Sequence, residues 1–115
     1  MLWRRIPGVL AAQFDVYPNL SKTSKAHSPY LIAIQSALLT DLATRIVIPL
    51  ARRAAFGEQA MRGLTPEITF NDQTLLLLTP QISSVPEKYL KNPVGSLSHF
   101  RDRIIAALDL AVTGI

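Results

Sequence analysis

TRIVIPL, residues 44–50, has the clearest pattern of a buried β-strand in this 115-residue chain. Its apolar residues are continuous and rich in β-branched side chains, which is typical of a strand covered on both faces of its sheet. Pro49 cannot donate a backbone hydrogen bond, so we expect it at the end of the strand or at an edge. The flanking sequence must then supply the neighbouring strands.

QFDVY, residues 13–17, predicts a half-buried strand because polar and apolar residues alternate along it. Phe14 and Val16 fall on one side of this strand, and Gln13, Asp15 and Tyr17 on the other. Residues 18–29 contain two prolines together with several serines and lysines. This composition predicts a loop.

PYLIAIQS, residues 29–36, predicts the strand that precedes TRIVIPL, and residues 37–43 form the connection between them. Its side chains divide between two faces, with Tyr30, Ile32 and Ile34 on one and Leu31 and Ala33 on the other. After TRIVIPL, the segment ARRAAFGEQAMRG, residues 51–63, is compatible with either a short helix or a loop.

Residues 67–80, EITFNDQTLLLLTP, predict a β-hairpin with Asn71 and Asp72 at the turn, since both residue types tolerate turn geometry at low cost. QISSVP, residues 81–86, predicts a short edge strand. Residues 86–95 contain two prolines and a glycine and are expected to be mostly loop.

The last element predicted is a helix that runs almost to residue 115. Apolar residues recur at helical spacing at positions 97, 100, 104, 108 and 111, whereas Ile105, Leu110 and Val112 lie outside this stripe. Ser98 is the expected cap, Asp102 falls in the first turn, and Gly114 is placed for a left-handed helix end. The apolar ending is therefore either a C-cap with a hydrophobic contact back to the helix or a surface for a partner.

Composition limits the class of protein. The chain has no cysteine, which excludes disulfides, a thiolate nucleophile and Cys-ligated metals, and fits a reducing compartment such as the cytoplasm. Its net charge of +4 favours an acidic partner, whether DNA, RNA or polypeptide. The longest apolar stretch, residues 31–51, is interrupted by Gln35, Asp41 and Arg45, so we expect no membrane span.

The first residues do not fit the fold pattern. Residues 1–11 combine two arginines with a short apolar piece that Pro7 and Gly8 break, which makes a signal peptide the less favoured interpretation. We treat them as an extension and residues 12–115 as one domain.

The sequence contains few patterns of catalytic chemistry. His27 and His99 lie in a predicted loop and at a helix start, and neither has a second ligand at metal-binding spacing. Phosphate-loop and GxSxG motifs are missing, and no base can be assigned to Ser83 or Ser84. The sequence leaves open whether two of the carboxylates form a general acid–base pair. Because aromatic residues do not alternate with the basic ones, single-strand nucleic-acid binding is not indicated. The pattern favours a binding protein with no catalytic residue, metal or cofactor.

Five stretches in order resemble the CcdB family of bacterial toxins, over about residues 12–115: QFDVYPN, PYLIAIQS, TRIVIPL, SSVP and SLSHFRDRIIAALDLAVTGI. The resemblance implies an α+β, mainly antiparallel β fold, the SH3-like barrel of CcdB and MazF toxins, with one C-terminal helix and a homodimeric state. It also implies a toxin of a type II toxin–antitoxin system that binds the DNA gyrase A subunit and traps the gyrase–DNA complex. A CcdA-like antitoxin with an acidic, disordered segment would neutralise it. Sequence-specific nucleic-acid binding is not expected.

By the same resemblance, the gyrase-binding residues lie in the first strand, at the end of the second and at the end of the helix. They are Gln13, Phe14, Tyr17, Ser36, Asp109, Val112, Thr113, Gly114 and Ile115. For Phe14, a position in the hydrophobic core is the alternative.

The chain departs from the family pattern at the helix end. The best-known member carries Trp, Phe and Asn where this chain has Thr113, Val112 and Asp109. An indole stacks on an arginine and a threonine does not, and losing a hot-spot aromatic costs at least ~2 kcal/mol, about thirtyfold in affinity. We therefore expect weaker or altered gyrase contacts. A MazF-like endoribonuclease and a degenerate homologue that binds antitoxin without poisoning gyrase remain as alternatives.

Overall fold

The computed structural model describes residues 13–35, 43–53 and 63–114. The predictions for residues 1–11, Ser36 and Ile115, and for most of the 37–43 and 51–63 segments, lie outside these ranges. The described strands are β1 (Asp15–Pro18), β2 (Tyr30–Ala33), β3 (Thr44–Arg52), β4 (Glu67–Phe70), β5 (Gln73–Leu77), β6 (Ser83–Pro86) and β7 (Gly95–Ser96), and they are followed by helix α1 (Arg101–Thr113).

The described strands form one antiparallel sheet. Their order is β4-β5-β3-β2-β1-β7, and β6 pairs with β3 beside β5. The sheet curls into a half-barrel, and α1 follows it at the C-terminal end of the chain. The predicted fold class is therefore confirmed: α+β, mainly antiparallel, of the SH3-like barrel type. In the described part of the chain, no helix has the length and apolarity needed to cross a membrane.

Strand β3 lies at the centre of the sheet and is covered on both faces, as its sequence predicts. Ile48 and Leu50 belong to the main core, while Val47 and Ala51 are buried on the opposite face. The strand pairs with β2 along one side. Along its other side it pairs first with β6 and then with β5.

The prediction for Pro49 is wrong, because this proline lies inside the central strand rather than at its end or at an edge. Its carbonyl accepts a hydrogen bond from the Leu78 amide at 2.9 Å. In a strand, the N–H and C=O of one residue point to the same side, so the missing donor of Pro49 also faces away from β2. It falls at the point where the neighbour of β3 changes from β6 to β5. The Leu78 carbonyl opposite Pro49 accepts a hydrogen bond from the Gln81 amide at 2.8 Å instead.

The main core lies inside the curl of the sheet, where α1 covers it. Its buried members are Phe14, Val16, Ile32, Ile48, Leu50, Ile68, Leu75, Leu77, Leu97, Ile104 and Ala107. Ile104 and Ala107 are the contribution of α1, and both come from its first half. The helix is therefore anchored by its beginning, and its end extends beyond the core.

Strand β1 is more buried than its alternating sequence predicts. Val16 faces the core, but Asp15 and Tyr17 on the other face are buried as well, so the expectation of a half-buried strand is wrong. The Tyr17 hydroxyl donates to a carboxylate oxygen of Asp15 at 3.4 Å. This pairing allows two polar groups to be buried on the outer face.

The hairpin of β4 and β5 forms as predicted. Asn71 and Asp72 have positive φ angles of 52° and 60°, the left-handed backbone that two-residue turns between strands require. The predicted edge strand at residues 81–86 is confirmed as β6, and the loop at 86–95 contains a 3₁₀ turn at Glu87–Tyr89.

The two ends of the sheet meet through side-chain packing. Phe70, at the end of β4, makes an edge-on contact with Tyr30, with 5.1 Å between the ring centroids. The same Phe70 ring lies over Gly95 of β7, where an added Cβ would come within 2.6 Å of its Cε1 atom. The half-barrel is thus closed by an aromatic ring on a glycine, a contact we call the Phe70–Gly95 seam.

The helix begins later than predicted, and Ser98 is not its cap. Ser98 starts a 3₁₀ turn, Ser98–Phe100, and α1 begins at Arg101 without a side-chain cap hydrogen bond. The Ser98 amide instead donates to the Ser96 hydroxyl at 3.2 Å. The predicted apolar stripe is buried or half-buried from Leu97 to Leu108, but Ala111 is exposed.

Candidate binding site at the end of the helix

The last turn of α1 projects from the body of the protein. Every residue from Asp109 to Gly114 is exposed except Leu110, which is half-buried. Val112 is 81% exposed, far more than the other large apolar side chains of the described chain. Val112 therefore adds accessible apolar area at the end of α1.

Local hydrogen bonds hold the helix end in place. Gly114 adopts φ 75°, and its amide donates to the Leu110 carbonyl at 2.9 Å. The predicted left-handed C-cap is therefore confirmed, whereas its hydrophobic contact would rest on Ile115, outside the described residues. The Thr113 hydroxyl donates to the Asp109 carbonyl at 2.6 Å. Leu110 also packs beside Gly63, whose added Cβ would lie 3.3 Å from the Leu110 Cδ2 atom.

The end of α1 has a negative electrostatic potential. The last turn of α1 contains Asp109 and no basic residue. The carbonyls of residues 111–113 have no intrahelical partner, as at any helix C-terminus, and the negative end of the helix dipole adds to them. This surface combines an apolar contact from Val112 with acceptors for a cationic or hydrogen-bond-donating partner.

The structure also brings the first strand to the end of the second. The Gln13 side-chain amide donates to the Ile34 carbonyl at 3.1 Å, two residues before Ser36. Gln13 is half-buried at this position. Among the described residues, no hydrogen bond links Gln13 to the end of α1. Gln13 thus lies beside the end of the second strand, Ser36 lies outside the described residues, and the relation of Gln13 to the helix end stays a prediction.

Two predicted site residues have buried side chains. Phe14 is 3% exposed and belongs to the main core, so its alternative as a core residue is confirmed. Its φ of 71° is set by two backbone hydrogen bonds, from its amide to Ala33 and from the Leu97 amide to its carbonyl. Tyr17 is 2% exposed. A gyrase contact by either residue stays a prediction.

A groove beside β6 was missed by the sequence analysis. It has a volume of about 370 Å³ and is lined by Asn19, Leu20, Ser21, Val85 and Tyr89. We call it the β6 groove. Leu20 is 52% and Tyr89 48% exposed, so it offers apolar contacts. Its two walls lie more than sixty residues apart in the sequence, and no local pattern shows that they meet.

Metal binding has no support in the described ranges, where no three metal-ligating side chains come together. Two pairs of charged side chains in these ranges form close ion pairs. The buried Arg45 guanidinium contacts the Glu87 carboxylate at 3.0 Å, and Arg53 contacts Glu67 at 2.7 Å.

An antiparallel half-barrel followed by one helix with an exposed end defines a small α+β protein of the SH3-like barrel class. The family comparison agrees with this class. The family model described as CcdB protein matches residues 13–114. The chain therefore belongs to the CcdB family, the toxins of toxin–antitoxin pairs.

Proposed function

We propose that this chain binds the A subunit of DNA gyrase through the end of α1 and holds the gyrase–DNA complex with its DNA cleaved. It acts as a homodimer in the cytoplasm and catalyses no reaction of its own. Membership of the CcdB family supports the target. The single observation that supports the surface is Val112, 81% exposed on a capped, projecting helix end.

The composition of this surface explains how it would bind. Val112 supplies apolar area, while Asp109 and the free carbonyls of residues 111–113 supply acceptors. Thr113 stands where the best-known member of the family has an aromatic residue, so the contact has less apolar area. We therefore expect gyrase binding weaker by an order of magnitude or more than that of a member with the aromatic residue.

Induced expression in two strains tests the target. Growth should stop in cells with sensitive gyrase and continue in cells with a resistant gyrase A subunit. Deletion of residues 113–115 should abolish growth inhibition, while the folded chain still binds its antitoxin. Val112→Ala should weaken inhibition, whereas Val94→Ala, the same change at an exposed position away from the helix end, should not.

Three results would contradict the proposal. Equal toxicity in both strains would show another target, and RNA cleavage by the purified protein without gyrase would identify a MazF-like ribonuclease. Antitoxin binding without any toxicity would identify a homologue that no longer poisons gyrase. Light scattering on the same purified sample measures whether the chain is a dimer.

We further propose that the acidic segment of the antitoxin binds along the β6 groove. Within the described sheet β6 pairs with β3 alone, so its other edge can accept an added strand. One wall of the groove belongs to the loop that carries the exposed Lys22 and Lys25. On the other wall, the Lys88 ammonium lies 5.7 Å from the centre of the Tyr89 ring. An extended acidic peptide matches both the open strand edge and the charge.

A further inference from the structure

The side chain of Thr113 forms a hydrogen bond within its own helix. Its hydroxyl donates to the Asp109 carbonyl, one turn earlier, at 2.6 Å. In an α-helix that carbonyl also faces the Thr113 amide, so both donors of one residue point at the same acceptor. The hydroxyl is therefore directed back along the helix and away from a partner.

Val112 points in a different direction. Consecutive helical residues are separated by about 100° around the axis, so Val112 and Thr113 do not share a face. A valine in a helix has one strongly preferred rotamer, which means that the backbone alone sets where its methyl groups lie. The presentation of Val112 thus depends on the last turn remaining helical.

Few contacts keep this turn helical. The fully buried residues of α1 end at Ala107, and the half-buried Leu108 still packs against the main core. Beyond Leu108, the described contacts of the helix end include Leu110 beside Gly63, the Gly114 cap and the Thr113 hydroxyl bond. Helix ends fray when such bonds are lost. The Thr113 hydroxyl bond therefore adds to the backbone hydrogen bonds that close the helix end next to Val112.

We propose that Thr113 is a positioning residue, which holds the last turn so that Val112 makes the partner contact, and that Thr113 does not itself touch the partner. This inference rests on the proposed function, because it assigns roles within that same surface. It gives a physical account of the threonine in this chain. Its hydroxyl forms a hydrogen bond within the helix in place of a direct contact with the partner.

Binding of the full chain to purified gyrase A subunit tests this division of roles. Thr113→Val keeps the shape but removes the hydroxyl, and should weaken binding about threefold, whereas Thr113→Ser keeps the bond and should bind like the parent. Val112→Ala should weaken binding roughly tenfold. In the Val112→Ala background, Thr113→Val should have little further effect. An equal loss in both backgrounds would show that Thr113 contacts gyrase directly and would overturn the proposal.

Amide hydrogen exchange in the free protein provides a second readout. Thr113→Val should reduce protection at Thr113 and Gly114, while Thr113→Ser and Val112→Ala should not. Unchanged protection in Thr113→Val would refute the positioning role. If no variant binds gyrase, the proposed function fails, but the exchange measurement still decides whether Thr113 holds the last turn.

Discussion

At the scale of single residues, Asp109 has an electrostatic cost in the free protein. It is exposed in the last turn of α1, where no basic residue balances it. A negative charge near a helix C-terminus is unfavourable by roughly 0.3–1 kcal/mol. Asp109→Asn should therefore raise the melting temperature by roughly 1–4 °C at low salt, with a smaller gain at high salt. Asp72→Asn, an exposed change in a hairpin turn, is the control, and an equal gain there would argue against a dipole effect.

Individual residues also show where sequence reasoning stops. Gly114 was predictable because a left-handed helix end favours glycine for local steric reasons. The backbone conformation of Phe14 was not predictable, since its φ of 71° depends on hydrogen bonds to Ala33 and Leu97, which are distant in sequence. Residue type indicated that Phe14 was apolar, but it did not distinguish a core position from a partner contact. For Val112, periodicity indicated only that it falls outside the buried stripe.

At the scale of elements, the Phe70–Gly95 seam fixes the closure of the half-barrel. A Cβ at residue 95 would lie 2.6 Å from Cε1 and 2.9 Å from Cζ of Phe70. Gly95→Ala should therefore lower the free energy of unfolding by roughly 1–3 kcal/mol, measured by urea denaturation. Adding Phe70→Leu should recover part of this loss by removing the ring atoms that clash. A Gly95→Ala protein as stable as the parent would show that the ring moves aside at no cost.

Elements defined by local chemistry were predictable. The Asn71–Asp72 turn and the β-branched run of β3 carry their signals within a few residues. Strand β7 carries no such local signal, because it consists of two residues and its strand character comes from pairing with β1. The start of α1 was misplaced for a similar reason, since Ser98 resembles a cap but is held in a 3₁₀ turn.

At the scale of the whole molecule, the proposed antitoxin site in the β6 groove predicts that the net charge of +4 and the groove act on the same partner. Steering by charge changes association rates, whereas apolar anchors change dissociation rates. Lys88→Gln should slow association with the antitoxin at low salt more than Arg101→Gln does, although each removes one positive charge. Tyr89→Ala should weaken affinity roughly tenfold to thirtyfold, mainly through faster dissociation.

A purified CcdA-like antitoxin is the reagent, and stopped-flow and surface-binding measurements give the two rates. Val94→Ala serves as a control outside the groove. Equal effects of Lys88→Gln and Arg101→Gln, together with unchanged affinity in Tyr89→Ala, would place the antitoxin elsewhere. The groove itself was beyond sequence reasoning, because its walls meet only once β6 has paired with β3.

The position of Pro49 affects the tendency of this protein to aggregate at high concentration. At the break between the two neighbours of β3, an unpaired N–H or C=O group would be a template for pairing with another chain. Here the single acceptor at that break is already taken by Leu78, and the proline ring leaves no donor to recruit an intruder. A residue that weakens most strands thus makes this one a poor template for misassembly.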